Sequence, residues 1–350
     1  MNGFDMDRGA MQGWQGQAPA RDQAENLRAA IGQARLLAAG KGRAGEAEAL
    51  EPPRLARVYA VTSGKAGAGK TSVTANLAIA LSEMGVRTAI IDAGFGLSSI
   101  EVLYGAPPQT NPNDAAATER LNVASEGLNV ATERLNADAF SDGPCGVKFI
   151  SGGTGFDDAM RAFGDQPSAF AAGLPAIDQG FGAVLVDAGA GIAETVIGIS
   201  LAADEVILVT TPEPASITDS YAMAKTLAQR DRSIPIRLVV NRAESQAEAQ
   251  EVMSKLALVA DKFLDLRLKK LGYIQNDPLV AHSVETQRPF IVGFPNSKPS
   301  QNVRDIALGL MERRALGDAP QGRGLGDAPQ GRGLAGFFAS ASRLLRAPCK

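Results

Sequence analysis

Gly64-Lys65-Ala66-Gly67-Ala68-Gly69-Lys70-Thr71 follows the apolar run Val58-Tyr-Ala-Val-Thr62 and precedes a helical stretch over Ser72–Met84. The octapeptide fits G-x-x-x-x-G-K-[ST], and it stands between a strand signal and a helix signal, the context that this phosphate-loop pattern requires. Glycines let the backbone wrap close to a phosphate with successive N–H groups pointing inward. Residues Gly64 to Ser72 are therefore the candidate nucleotide cradle. Lys70 is placed to neutralise β/γ-phosphate charge. The Thr71 hydroxyl is placed to bind Mg²⁺, and the helix starting there adds its positive end.

Outward from the loop, further strand signals fall at Thr88–Asp92, Val147–Ile150, Ala183–Asp187, Glu205–Thr210, Arg237–Asn241 and Leu271–Ile274. Most are unbroken Val/Ile/Leu runs without alternation, as expected of strands covered on both faces. Helical stretches, for example Ser72–Met84 and Ile217–Gln229, separate several of them. Strand alternating with helix predicts an α/β fold: a doubly wound, mostly parallel sheet with helices on both faces, spanning 55–312.

The flanks read differently. Residues 1–21 are rich in Gly, Gln and Ala and are expected to be disordered. From Asp22, an N-cap candidate, Leu27, Ile31, Ala34, Leu37 and Ala38 make a helical stripe, and a linker follows, so that 22–54 form an N-terminal arm. A near-repeat, Leu121–Gly127 copied at Leu128–Arg134, marks an insertion over about 115–140, read either as a helix with a weak apolar seam or as a duplication without function. A second repeat, Leu316–Gly324 copied at Leu325–Gly333, is too rich in Gly and Pro for a helix, and 313–333 read as a flexible tether. Beyond it, Leu334, Phe337, Phe338, Ala341, Leu344 and Leu345 share one face of a helix, with Arg343 and Arg346 on others. This segment, 334–350, is expected to lie on an anionic membrane surface; packing on its own domain or on a partner is the competing reading.

Composition narrows the classes. The chain has 350 residues, 45% hydrophobic and 21% charged, with 35 Lys+Arg against 38 Asp+Glu. A net charge of −3 argues against a generally basic nucleic-acid binder. Residues 313–350 hold seven basic and two acidic side chains, so the remaining 312 sum to −8. Two cysteines, Cys145 and Cys349, give no disulfide framework, and the single His282 gives no His-rich metal site. No apolar run approaches the ~18–20 residues that span a bilayer, and no signal-peptide core is present, so a reducing cytosol is expected.

Lys65, just after the first glycine of the loop, gives Lys-Ala-Gly-Ala-Gly-Lys-Thr. This resembles the deviant Walker motif K-G-G-x-G-K-[ST] of the MinD/ParA ATPases. Ile91-Asp-Ala-Gly-Phe-Gly-Leu97 resembles that family's D-A-D-x-G-L segment, Val184–Gly191 its Walker B region, and Val239-Val-Asn-Arg242 its adenine-contacting strand end. Asp187-Ala-Gly-Ala-Gly191, Thr210–Asp219 and Asp22-Gln-Ala-Glu-Asn-Leu-Arg28 narrow the likeness to the FlhG (FleN, YlxH) flagellar-number regulators.

The resemblance implies ATP and Mg²⁺ as cofactors and a homodimer formed on ATP binding. It implies that Lys65 reaches the partner's phosphates in trans, that Asp187 and Asp92 hold Mg²⁺ through water, that Gly189 or Gly191 approaches the γ-phosphate, and that Asn241 and Arg242 line the adenine pocket. Asp22, Gln23, Ala24, Leu27 and Arg28 match the element through which the family stimulates an FlhF-like GTPase. A flagellar switch protein or a transcription regulator is a further implied partner. The expected location is the cytoplasmic face of the cell membrane, reversibly occupied and polar. No specific nucleic acid is expected.

One position departs from the family. The second acidic residue of D-A-D-x-G, which positions or activates the attacking water, is here Gly94. Loss of such a group commonly costs ~10²–10⁴-fold, so slow hydrolysis is expected, with Asp92 the candidate for partial substitution. A scaffold gated by ATP without hydrolysis, and a MinD/ParA-type positioning ATPase for septum or DNA, are the alternative functions.

Overall fold

In a computed structural model, the described residues are 55–94, 99–106, 140–150, 180–316 and 333–346. All belong to the unit Glu51–Lys350. The leader, the arm with Asp22–Arg28, Phe95–Ser98, the 115–139 part of the insertion, the repeats at 317–332 and Cys349 lie outside the described residues.

The strands are β1 (Arg57–Ser63), β2 (Thr88–Asp92), β3 (Ser141–Asp142), β4 (Lys148–Ile150), β5 (Ala183–Ala190), β6 (Glu205–Thr210), β7 (Ile236–Ala243) and β8 (Lys269–Gln275). They form one sheet in the order β3-β4-β2-β5-β1-β6-β7-β8, parallel throughout except for the β3–β4 pair. Each strand signal read from the sequence corresponds to one of these. The helices are α1 (Lys70–Glu83), α2 (Ser99–Tyr104), α3 (Glu194–Ala202), α4 (Pro214–Arg230), α5 (Gln246–Leu264), α6 (Pro278–Glu285), α7 (Phe290–Gly293), α8 (Lys298–Leu316) and α9 (Gly333–Arg346).

The pleat of the strands sorts the core. Tyr59, Val61, Ile207, Val209 and Val239 point to the face covered by Leu77 and Ile79 of α1 and by Val303 and Ile306 of α8. Their neighbours Val58, Ala60, Val184 and Val186 point the other way, toward α3 and α9. Val206, Leu208, Leu238 and Val240 pack on that same side under α3, α4 and α5. At the N-terminal ends of β1, β6 and β7 the fully buried Glu205 accepts from Arg237 Nε and, at 3.1 Å, from its Nη2. Arg57 Nη2 stands 3.4 Å from the same carboxylate. Two guanidinium groups thus compensate one buried carboxylate, the condition under which such charges are tolerated in a core.

Local sequence explains the starts of α4, α5 and α6. Pro214 and Pro278 sit in the first turns of α4 and α6, where a missing N–H costs nothing. Ser245 caps α5 by accepting from the Glu248 N–H, and Asp277 caps α6 by accepting from Leu279. Asp277-Pro278 is therefore a helix start, and His282 lies exposed on α6. Helix α8 runs to Leu316, four residues past the predicted domain end at 312 and into the first part of the predicted tether.

Helix α9 coincides with the predicted amphipathic segment, and most of its apolar face is covered, while Leu344 stays exposed. Leu334, Phe337, Phe338 and Ala341 are buried against Ile199 and Ala202 of α3 and the β1–β2–β5 face. The reason lies partly in α3. Its sequence ETVIGISLA is apolar nearly all round, and such a helix needs cover on both sides. The sheet covers one side and α9 the other. Gly198 on α3 makes room: a Cβ there would lie 3.1 Å from Leu345 Cδ2 and 3.5 Å from Leu344 Cβ.

Candidate functional site

The loop from Gly64 to Gly69 leaves β1 at the C-terminal end of the sheet and enters α1 without a side-chain cap. Gly69 holds the left-handed conformation, φ 85°, at the N-cap, and no acidic residue occupies the first turn. The first N–H groups of a 14-residue helix are thus left to face whatever occupies the loop. This is the arrangement of a phosphate site. Two close approaches enforce glycine. A Cβ at Gly64 would sit 2.1 Å from the Asp219 carbonyl carbon, and one at Gly69 would sit 2.2 Å from Asn241 Nδ2.

Four strand ends converge on the loop. Lys70 Nζ donates to Thr71 Oγ1 at 3.1 Å and stands 3.3 Å from Asp187 Oδ1 at the end of β5. Asp187 and Asp92 are register partners on β5 and β2, both buried. From β7, buried Asn241 donates its Nδ2 to the Ala68 carbonyl at 2.8 Å. Arg242 follows in a positive-φ conformation, its N–H donating to Asn241 Oδ1 at 3.0 Å. The segment after β5 is tied back to β1: Thr62 Oγ1 donates to Gly189 O at 3.1 Å, and the Gly191 N–H donates to Ser63 O at 2.8 Å. Gly189 and Gly191 both take positive φ, so this turn depends on glycine.

The structure thus brings Lys65, Lys70, Thr71, Asp92, Asp187, Gly189 and Asn241 around one loop. Asn241 stands against the phosphate loop itself. The donor set fits a hydrated divalent cation. Asp187 Oδ1 is buried and makes no hydrogen bond among the described residues, although Lys70 is near it, and Thr71 presents a hydroxyl beside it. Among the described residues no cluster of three His, Cys, Asp or Glu side chains could cage a bare metal ion.

Asp92 is committed elsewhere. Its Oδ1 accepts from Gly94 N–H at 3.0 Å, and its Oδ2 accepts from Ser99 and Ile100 N–H at 3.0 and 3.4 Å, capping α2. Burial and the Asp187 charge push its pKa up, and the three backbone donors oppose them. The carboxylate expected to stand in for the missing acid at 94 is therefore held as a helix cap. A Cβ at Gly94 would lie 3.0 Å from Asp92 Oδ1.

Sequence reasoning gave Glu213 no role, and the structure gives it one. It is the N-cap residue of α4, and its Oε2 accepts from Lys65 Nζ at 2.8 Å. The signal was the Thr210–Asp219 stretch as a whole. Ser216 Oγ accepts from Thr211 N–H at 3.0 Å and shares a hydrogen bond with Thr210 Oγ1, while Asp219 and Ser220 form the wall that Gly64 touches. This stretch is the brace of the phosphate loop.

The model of the CobQ/CobB/MinD/ParA nucleotide-binding domain matches residues 59–290, from β1 to the start of α7. The antiactivator FleN of Pseudomonas aeruginosa is 34% identical over 251 residues, 72% of this chain and 85% of FleN. The chain belongs to the MinD/ParA ATPase family, in its FlhG group. The flagellum site-determining protein YlxH of Helicobacter pylori is 30% identical, over 75% of this chain and 84% of YlxH. Among solved structures, the cell division ATPase MinD of Pyrococcus furiosus aligns with a TM-score of 0.53 at 22% identity, covering 74% of this chain and 99% of MinD. A septum site-determining MinD of Pyrococcus horikoshii, complexed with Mg-ADP, aligns with 0.53 at 22% identity, covering 73% and 96%. These two likenesses concern the fold. The matched residues contain the whole loop from Gly64 to Thr71 and all four converging strand ends, and this FlhG-type protein is an ATPase.

Proposed function

We propose that the chain is an ATP-gated dimerising switch that sets the number or placement of flagella by acting on an FlhF-like GTPase at the membrane. The observation that carries the switch is the uncapped helix α1 behind a glycine loop that also presents Lys65. In this reading Gly64–Ser72 hold the phosphates. Thr71, with Asp187 and Asp92 through water, holds Mg²⁺, which supplies charge neutralisation when bound; the relative complexed with Mg-ADP supports that assignment. Lys65 leaves Glu213 to reach a partner's phosphates, and Gly189 senses the γ-phosphate. Asn241 and Arg242 bound the adenine side.

The likeness to the flagellum site-determining protein YlxH supports the flagellar role, and Asp22, Gln23, Ala24, Leu27 and Arg28 are the GTPase-facing element. A flagellar switch protein or a transcription regulator is the further partner. Helix α9 is the membrane-targeting element, and its docked face is its storage position. ATP-driven dimerisation releases it, and Leu334, Phe337, Phe338, Leu344, Leu345, Arg343 and Arg346 then meet the anionic cytoplasmic face of the membrane. No described helix is long and apolar enough to cross a membrane.

Gly94 favours a second reading, a nucleotide-gated scaffold that turns over ATP slowly or not at all. Light scattering with ATP and with ADP tests the switch: a dimer with ATP and a monomer with ADP are expected, and Lys65→Ala should stay monomeric in both. A dimer of Lys65→Ala with ATP would refute the role of Lys65, and single-turnover hydrolysis separates the two readings.

A further inference from the structure

Near its end helix α5 carries exposed apolar side chains that neither the core nor the nucleotide site uses, with Val259 and Phe263 one turn apart on the same side. Its inward side chains Val252, Met253, Leu256 and Ala260 are buried, yet Leu258 is 67% exposed, Phe263 65% and Val259 36%. Basic side chains surround them. Residues 254–270 carry five Lys/Arg and two Asp, whereas residues 1–312 as a whole sum to −8. Lys262 Nζ stands 5.4 Å above the Phe263 ring. Arg267 is exposed, and Lys270 is exposed and reaches back to donate to Ser254 Oγ at 2.7 Å.

The cluster's place in the fold matters. Helix α5 leads into the start of β8, so its last turns lie at the N-terminal ends of the strands, opposite the phosphate loop. A dimer closed across the nucleotide sites leaves that end uncovered. Helix α5 also lies on the same face of the sheet as α3, α4 and α9.

We infer that the end of α5 is a second membrane contact, carried by the ATPase body itself. Val259 and Phe263 enter the headgroup layer of an anionic bilayer, and Lys262, Arg267 and Lys270 meet the lipid phosphates. Exposed apolar side chains one turn apart with a lysine over the aromatic ring are the composition of an interfacial insertion site. The charge distribution selects the occupant: an acidic body is repelled by an anionic surface except where its charge is locally reversed. This inference rests on the reading of α9 as a reversible membrane helix.

The test uses the full chain in a Cys145→Ser, Cys349→Ser background. A Cβ at Gly198 would lie 3.5 Å from Leu344 Cβ, within the range for a disulfide, so Gly198→Cys with Leu344→Cys locks α9 on α3 when oxidised. Sedimentation is measured with phosphatidylglycerol–phosphatidylcholine vesicles and with pure phosphatidylcholine vesicles. The oxidised protein should still bind the anionic vesicles. Val259→Ser with Phe263→Ser should lower that binding about tenfold, and Lys262→Glu should lower it at least about fivefold. All three side chains are exposed, so an unchanged thermal transition confirms folding. Oxidised protein that stays in the supernatant, or that binds equally with and without the α5 substitutions, overturns the inference. Failure of the α9 reading shows separately, as equal binding before and after reduction.

Discussion

Lys65 Nζ donates a 2.8 Å hydrogen bond to Glu213 Oε2, joining the phosphate loop to the start of α4 across 148 positions of sequence. The bond and the charge of Lys65 hold the Glu213 carboxyl below its ordinary value of 4.5, and Arg242 adds to the effect. A depressed carboxyl pKa means that the interaction is fully present above the unfolded value and is lost as pH falls through the folded one. A carboxyl NMR titration should therefore place the Glu213 midpoint below 4.5 and return it toward 4.5 in Lys65→Met. The same midpoint in both proteins would show that the pair does not form in solution.

The pair also bears on the proposed dimer. Lys65 cannot hold Glu213 and reach a second nucleotide at once, so Glu213→Gln should lower the ATP concentration needed for dimerisation. Both partners are about half exposed, and exposed pairs are weak. The shift should be less than about fivefold, read by light scattering across an ATP titration; a shift to higher ATP would mean that Glu213 assists the dimer instead.

At the other end of the sheet, Glu205 answers two guanidinium groups in the core. Removing one partner of a buried charge network costs far more than removing an exposed one. Glu205→Ala should destabilise the protein by about 3–5 kcal/mol in urea unfolding, with Glu205→Gln recovering part of it. A change under about 1 kcal/mol would mean that water reaches the two arginines.

The fold was largely legible because its strands are unbroken Val/Ile/Leu runs, of which Thr88–Asp92 and Glu205–Thr210 have the bounds read from sequence. The two-residue β3 has no periodicity to read. The phosphate loop was legible because its chemistry is local: glycines, Lys70 and Thr71 lie within eight positions. What escaped was contact between distant segments. Nothing near Glu213 names Lys65 as its partner, and nothing near Asp92 says that Ser99 and Ile100 will claim its carboxylate. Helix α9 shows the limit most clearly. An apolar stripe of Leu334, Phe337, Phe338 and Ala341 has the same pattern whether it faces lipid or α3, and only the all-round apolar α3 settles that it is covered here.

Docking of α9 can be loosened at one atom's distance. A side chain at Gly198 must displace Leu345, whose Cδ2 would lie 3.1 Å from the new Cβ. Gly198→Leu should raise hydrogen exchange along 333–346 and increase anionic-vesicle binding with ADP, where the wild type should keep the helix docked. Phe337→Ala acts on the same contact from the other side, deleting a fully buried ring at a cost of about 3–5 kcal/mol, shared between docking and global stability. Unaltered exchange in Gly198→Leu would show that α3 and α9 move together.

In the proposed cycle, Gly94 is the position that sets the rate of hydrolysis. An acidic side chain placed to orient the attacking water commonly contributes ~10²–10⁴-fold, and position 94 has no side chain. The nearest carboxylate, Asp92, already accepts three backbone N–H groups, so turning it toward an attacking water would uncap α2. Wild-type turnover should accordingly be slow, and Gly94→Asp should raise it by about 10²-fold or more while leaving ATP affinity within a few-fold. The gain has an opposing term: a Cβ at 94 meets Asp92 Oδ1 at 3.0 Å, and a second carboxylate adds to the charge that already raises the Asp92 pKa. Gly94→Asn separates the two, since it brings the same bulk without the charge or the basic oxygen. A single-turnover assay in which Asp accelerates and Asn does not would assign the missing step to proton acceptance. Equal acceleration would assign it to positioning of water, and no acceleration by either would show that this chain's slow step lies elsewhere in the cycle.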